Sequence, residues 1–399
     1  MRNTAVAGSH ARDGGLHWPE ALEPERLEAL LDSTPVIVCD TSTVAERYRH
    51  MQECLPDVRF YYAVKSNPAL PILETLAGLG TGFEIASVQE LDFVEVAGGA
   101  SADTLYSNPV KPPGSIASAY RRGVQRFGFD GECEVRKLAA EAPGSKVYVR
   151  LEADDHQSLF PLSAKFGTSV DKACDLLTLA RDLGLEPHGV TFHVGSQCAE
   201  VGAWPRAIAR CGVLLRALHR KGITIEMLDL GGGFPAVYSD PVPSFAQIAE
   251  AIRHALERLP HRPPTVVAEP GRYLVAESAV MVATVIGVDR RSDGPWCYLD
   301  VGGYNGLMEA VQTGGRWGFP LRTAGLRDGP LVPFTITGPS CDSSDTMFYG
   351  AHLPADIAVG DRLYIGSAGA YTTSYASHFN GFPPPRTLFT DGAVAPSSC

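Results

Sequence analysis

No apolar run in this chain approaches the ~18 residues that span a bilayer, so no membrane-crossing helix is expected. A basic tract is also missing. With 34 Lys+Arg against 45 Asp+Glu the formal net charge is −11, which argues against non-specific nucleic-acid binding and gives weak support to a cationic substrate. The nine cysteines show neither paired nor metal-ligand spacing, so neither a disulfide framework nor a metal site is expected. Their odd number, with no signal peptide, suggests reduced thiols and a cytoplasmic location. Internal repeats and low-complexity segments are absent. Roughly the first 20 residues, polar and containing Gly14-Gly15, read as a loose terminus.

What is present is an ordinary globular composition in 399 residues, long enough to favour two domains. From about residue 58, short apolar strands alternate with amphipathic stretches. Strands are expected at Val58–Val64, Gly82–Ala86, Thr104–Tyr106, Arg126–Phe129, Lys146–Leu151, Gly189–His193, Met227–Leu230 and Thr265–Ala268. Helical patterns lie between them, among them Gln89–Ala97, Val170–Leu183, Trp204–Lys221 and Phe245–Arg258. This α/β alternation fits a (β/α)8 barrel better than an open doubly wound sheet, the alternative that pattern alone leaves. After Glu269 the texture turns to β-type runs with Gly/Pro turns: Val280–Val288, Trp296–Val301, Leu331–Ile336 and Asp361–Gly366. The expected division is an N-terminal segment 1–34, a barrel 35–268 and a C-terminal β domain 269–399. The lone strand Pro35–Cys39 is assigned to the β domain.

In a barrel, chemistry sits at the C-terminal ends of the strands. Lys65 closes one strand, and Ser66-Asn67-Pro68 is expected to open the next helix. An amine there can form a Schiff base if burial frees its lone pair, or it can simply reach solvent. The other ends carry Glu84, Arg150, His193-Val-Gly195-Ser196, Asp229-Leu-Gly231-Gly232-Gly233 and Glu269-Pro-Gly271-Arg272. The glycine run offers unhindered N–H groups to an anion such as phosphate, though such runs also make plain turns. Ser196 and Arg272 can add a hydroxyl and a charge. Glu269 can keep a pyridine nitrogen protonated or pair with Arg272. His193 can stack on a cofactor ring or be a satisfied structural histidine.

Nine motifs occur in order: Phe60–Asn67 (FYYAVKSN), Gly82–Ser87 (GFEIAS), Leu162–Gly167 (LSAKFG), Phe192–Gln197 (FHVGSQ), Leu228–Pro235 (LDLGGGFP), Ala268–Tyr273 (AEPGRY), Gly338–Asp345 (GPSCDSSD), Gly369–Tyr371 (GAY) and Phe379–Phe382 (FNGF). Together, over about residues 35–385, the chain resembles the ornithine/diaminopimelate/arginine decarboxylases. That family is pyridoxal-phosphate dependent, with an alanine-racemase-like fold of barrel plus C-terminal β-sandwich or β-barrel domain. The resemblance implies that Lys65 carries the cofactor, with Glu84 beside it, and that His193 stacks on the ring. Ser196, Gly231, Gly232, Gly233, Gly271, Arg272 and Tyr371 would hold the phosphate, and Glu269 would face the ring nitrogen. Arg150 belongs at the active site. Lys165 would close a mobile loop around Asp154–Phe160.

Cys341 and Asp342 would enter the site from the partner of a head-to-tail homodimer. Cys341 would be the proton donor, while Asp342, with Glu309, Lys165 and Phe379, would meet the substrate. The Cys341-Asp342 sequence favours the ornithine/lysine branch, as in polyamine biosynthesis, over the diaminopimelate branch. Glu84 departs from the aspartate usual in ornithine enzymes. The implied reaction is decarboxylation of a basic L-amino acid. Alternatives are diaminopimelate or an unusual, carrier-bound amino acid; a racemase or a non-catalytic homologue fits less well.

Overall fold

The computed structural model describes residues 18–28, 31–315, 317–323 and 330–391. The expected loose terminus lies almost wholly outside them. The strands in chain order are β1 (Val36–Asp40), β2 (Val58–Ala63), β3 (Gly82–Ile85), β4 (Thr104–Tyr106), β5 (Arg126–Phe129), β6 (Lys146–Leu151), β7 (Ser158–Phe160), β8 (Glu186–Phe192) and β9 (Ser196–Cys198). They continue as β10 (Met227–Asp229), β11 (Thr265–Ala268), β12 (Ala279–Arg291), β13 (Gly294–Leu299), β14 (Leu321–Thr323), β15 (Leu331–Thr337), β16 (Thr346–Pro354), β17 (Arg362–Ile365) and β18 (Arg386–Thr390). By contacts the chain divides into two units, one of Val44–Pro235 and Val242–Leu274, the other of residues 1–43, 236–241 and 275–399.

The first unit is a closed parallel barrel in the order β10-β11-β2-β3-β4-β5-β6-β8. All eight expected barrel strands are present. They were readable because strands covered on both faces are nearly continuous apolar runs. Tyr61, Leu105, Tyr148, Met227 and Val267 pack together inside. Tyr61 donates to Asp103 (3.0 Å) and accepts from Arg126 (2.8 Å), pairing polar groups that an apolar interior would leave costly. The surrounding helices bury the faces their periodicity predicted. In Ala203–Arg220 the buried side chains include Trp204, Ile208, Cys211, Leu215 and Leu218. Ser169 and Ser244 cap the helices Val170–Asp182 and Phe245–Glu257, and Gln247 completes a capping box with Ser244.

One local expectation fails. Ser66-Asn67-Pro68 does not open a helix; Val64–Ser66 is a 3-10 turn and the helix begins at Leu70. Pro68 forces Asn67 into an extended backbone (φ −163°, ψ 107°), which excludes a helical start there. The proline early in that helix is Pro71.

The second unit is built on an eight-stranded mixed sheet, with β14-β17-β12-β13-β15-β16 in line, β1 on β12, and β18 on β1. The assignment of the lone N-terminal strand to this unit holds: β1 runs antiparallel to β12 and parallel to β18. Trp18, Leu22, Leu27 and Leu31 pack with Val36, Val38, Val280, Val282 and Tyr364 into one core. Each fully buried aliphatic side chain there contributes about 1.5–3 kcal/mol. The segment 236–241 also belongs to this unit. Ser239 N–H donates to Gly318 O (3.1 Å), and the Tyr238 and Trp317 rings sit 4.1 Å apart. Among the described residues, no helix is long and apolar enough to cross a membrane.

Candidate active site

β2 ends at Ala63, so Lys65 projects from the 3-10 turn beyond the strand. The parallel register sets Ala63 opposite Glu84 on β3, and the Lys65 ammonium pairs with the Glu84 carboxylate. Glu84 is almost fully enclosed while Lys65 stays 41% accessible, so the amine is oriented from below and open above. Sequence reasoning put each residue at a strand end and did not see that they pair.

Glu269 follows β11, and its backbone N–H donates to Gly231 O at 2.8 Å. Its side chain is buried and accepts from the Ser107 hydroxyl, which lies 2.7 Å from the Tyr148 hydroxyl. Burial, then Asp229 and Glu84 nearby, push Glu269 well above the usual carboxylate range. Ser107 stands one residue past β4, an end that carried no candidate. Extending the inventory of strand ends to β4 would have found it.

His193 follows β8, and its Nδ1 accepts from Gly195 N–H at 3.0 Å, which leaves the ring proton on Nε2. Desolvation and the cations Arg150 and Lys65 hold His193 well below its usual range. It is therefore a neutral, flat ring at working pH. Arg150, on β6, sits 5.5 Å over the Phe166 ring and faces Glu269, Asp130, Glu84 and Asp229.

The glycine turn is sterically obligatory. A Cβ on Gly231 (φ 61°) would stand 2.0 Å from Phe192 O, and one on Gly233 (φ 95°) 2.3 Å from Gly195 O. On Gly232 it would stand 2.7 Å from Glu269 O. The Gly231 N–H is already engaged by Asp229 Oδ1 at 2.9 Å, so the turn is braced from beneath. Arg272, 3% exposed, donates to Ser196 Oγ from Nε (3.2 Å) and Nη2 (3.0 Å) and lies 5.4 Å over the Phe160 ring. Gly271 is packed on Ser66, where a Cβ would come within 3.0 Å of it. Backbone amides, a hydroxyl and a guanidinium thus gather beside an enclosed carboxylate and a neutral imidazole. This donor set fits a phosphorylated pyridine. Gly231→Ala should lower stability by about 2–4 kcal/mol and abolish saturable cofactor uptake, checked by thermal melting and by absorbance titration.

The pyridoxal-binding domain of the pyridoxal-dependent decarboxylases matches residues 41–276. The chain belongs to this family. The decarboxylase is 36% identical to the lysine/ornithine decarboxylase of Selenomonas ruminantium over 90% of both chains. Its fold superposes on the Vibrio vulnificus lysine/ornithine decarboxylase solved with cadaverine, with TM-score 0.84 and 30% identity, covering 92% of this chain and 98% of that one. It likewise matches SrLDC solved with PLP and cadaverine, with TM-score 0.84 and 34% identity over 93% and 94%. The decarboxylase is accordingly a pyridoxal-phosphate enzyme of the barrel-plus-sheet architecture.

The remaining candidates divide between its two units. In the barrel unit, the loop around Asp154–Phe160 makes bonds of its own and to β9. Phe160 on β7 pairs with Ser196 on β9, and Asp155 Oδ2 accepts from Ser163 N–H (2.6 Å) and from Leu162 N–H. Lys165 Nζ lies 4.9 Å over Phe166. In the sheet unit, Cys341 is exposed, and Asn380 Oδ1 accepts from both its N–H (3.1 Å) and its thiol (3.3 Å). Asp342 accepts from Tyr304 OH (2.8 Å) and Ser344 N–H (2.8 Å), and these bonds hold it below the usual carboxylate range. The Phe379 ring lies 4.6 Å from Tyr304. Tyr371 takes a left-handed backbone (φ 55°). Glu309 is 5% exposed, in the first turn of the helix Met308–Gln312, so its carboxylate is more enclosed than that of Asp342. Asn380 was within a quoted motif without an assigned role. Among the described residues no His/Cys/Asp/Glu group suited to a metal occurs.

Proposed function

We propose that the enzyme decarboxylates a basic L-amino acid of ornithine or lysine type to an amine and CO2, as a cytoplasmic homodimer with shared active sites. The observation that carries this reading is Asp342, a half-buried carboxylate kept anionic by Ser344 and Tyr304 and adjacent to the exposed Cys341 thiol. A fixed anion beside a proton donor suits a substrate with a distal ammonium group. The cadaverine and putrescine complexes of the Vibrio vulnificus relative, both diamines, support it.

Pyridoxal phosphate, when bound, supplies an aldehyde to capture the substrate amine and a ring that accepts the electron pair left by departing CO2. Lys65 is the anchoring amine, and Glu84 orients it. Glu269 presents its carboxylate to the ring nitrogen, and His193 offers a neutral face for stacking. Ser196, the glycine turn, Gly271, Arg272 and Tyr371 hold the phosphate, with Arg150 between the carboxylates. Cys341 of the partner subunit returns a proton from Sγ to the substrate α-carbon. Asp342 binds the distal ammonium, and Phe379, Lys165 and Glu309 complete that side. Fixing the breaking bond relative to the ring selects carboxylate loss over other cleavages.

CO2 release should be measured on L-ornithine, L-lysine, L-arginine, meso-diaminopimelate and D-amino acids, with amines identified by mass spectrometry. L-Ornithine or L-lysine should exceed the others in kcat/KM by about 100-fold or more. Turnover of meso-diaminopimelate alone would remove Asp342 as the ammonium site.

A further inference from the structure

Tyr148 lies inside the barrel on β6, fully buried and in register with a glycine on either side, Gly128 on β5 and Gly189 on β8. Larger residues there would crowd it. A Cβ on Gly128 would stand 3.0 Å from the tyrosine ring and 3.0 Å from Ser107 O, and one on Gly189 2.8 Å from Tyr148 Cβ. Glycine weakens a strand interior, so this seat for an aromatic ring is made at a cost. A phenylalanine would fill the same space, so packing accounts for the ring and not for its hydroxyl. That hydroxyl lies 2.7 Å from Ser107 Oγ, and the Ser107 hydroxyl donates to Glu269 Oε1. Ser107 is itself fixed, because its N–H donates to Ile85 O on β3 at 3.2 Å. A serine hydroxyl has one proton to give. With that proton directed at Glu269, Ser107 Oγ accepts from the tyrosine, and the chain runs from Tyr148 through Ser107 to Glu269. Burial, then the charge of Glu269, hold the Tyr148 phenol well above its ordinary range, which keeps it a donor.

We propose that Ser107, oriented by Tyr148, is a positioning residue that holds the Glu269 carboxylate, in rotamer and in charge, for the cofactor ring nitrogen. This rests on the role of Glu269 given above. The surroundings show why such a donor is needed. Burial and the Asp229 and Glu84 carboxylates favour a neutral Glu269, while Lys65 and Ser107 oppose them. Arg150 also faces Glu269, from the same strand as Tyr148, but it is shared with Asp130, Glu84 and Asp229. In the proposed mechanism Lys65 is committed to the cofactor aldehyde. The Ser107 hydroxyl is bonded to the carboxylate directly, and attaching the cofactor does not consume it. Within a low-dielectric interior each donor in a chain strengthens the next, so the Tyr148 hydroxyl acts on Glu269 without touching it.

The test gives the whole protein two probes: pyridoxal phosphate, and its analogue with CH in place of the ring nitrogen. Both carry the same aldehyde and phosphate, so the ratio of their affinities, read by absorbance titration, reports on the ring nitrogen. Wild type should prefer pyridoxal phosphate. Ser107→Ala should shrink that preference by about tenfold, weakening pyridoxal phosphate and leaving the analogue nearly unchanged. Tyr148→Phe should shrink it by about threefold, since Ser107 still donates but is no longer oriented. Adding Tyr148→Phe to Ser107→Ala should change the ratio no further, because the chain is already broken.

A Ser107→Ala protein that loses affinity for both probes alike overturns the proposal, because that is what a purely structural role predicts. If Ser107→Ala fails to fold, Tyr148→Phe decides by the same ratio, and an unchanged preference there overturns the proposal. A wild type that binds both probes equally refutes the role of Glu269, and this inference falls with it. A wild-type preference that survives Ser107→Ala intact refutes this inference and leaves Glu269 standing.

Discussion

Lys65→Ala is expected to eliminate the absorbance of the lysine-bound cofactor and to reduce decarboxylation by at least about 10³-fold. The size follows from the proposed role of Lys65, which would anchor the cofactor and be freed for each substrate. The Glu84 carboxylate, paired with it, would keep the amine in position. Lys65→Arg separates the two contributions. A guanidinium keeps the ion pair with Glu84 but is far too weak a nucleophile for the aldehyde. It should fold like wild type and be as inactive as Lys65→Ala. Cofactor absorbance and CO2 release measured on both variants check this, and wild-type turnover in either would end the role of Lys65.

The second large effect concerns the shared site. Cys341→Ala should lower kcat by about 10²-fold or more with little change in cofactor absorbance, because in the proposed mechanism its thiol would act only after the carboxylate has left. Mixing inactive Lys65→Ala and Cys341→Ala subunits should then restore about a quarter of the wild-type rate. Random pairing makes half of the dimers mixed, and each mixed dimer has one site with both residues intact. Putting different affinity tags on the two variants and purifying through both tags in sequence establishes that hybrids form. Hybrids without recovered activity would place Cys341 in the same chain's site. The Asn380 contact predicts a smaller companion effect, since it fixes both the Cys341 backbone and its thiol.

The barrel was legible because its parallel strands are buried on both sides and so spell out apolar runs, and because helices between them carry a 3.6-residue stripe. The sheet unit was harder to read. β16 mixes buried and exposed positions over Thr346–Pro354 without strict alternation, since bulges shift its register with β15. β7, β9 and β14 have three residues each, too short for any period to show. The excursion 236–241 into the sheet unit carries no composition change at its ends. In the site, each residue at a strand end could be named from its position, but partners could not. Glu84 meets Lys65 through the register of neighbouring strands, and Ser107 meets Glu269 across the barrel mouth, neither of which a linear pattern encodes. Glu309, at the start of the helix Met308–Gln312, is buried and Asp342 half-buried, a difference that no linear pattern shows.

The short β7–β9 ladder has a consequence for the loop that carries β7. Ser196, the hydroxyl that Arg272 engages, is the rung on which Phe160 is hung, and Cys198 N–H is bonded to Gly233 O at 2.9 Å. The strand pair therefore ties the 154–163 loop to the glycine turn and to the Ser196–Arg272 contact. If those groups hold the phosphate as proposed, the position of the loop and the occupancy of the cofactor site are coupled.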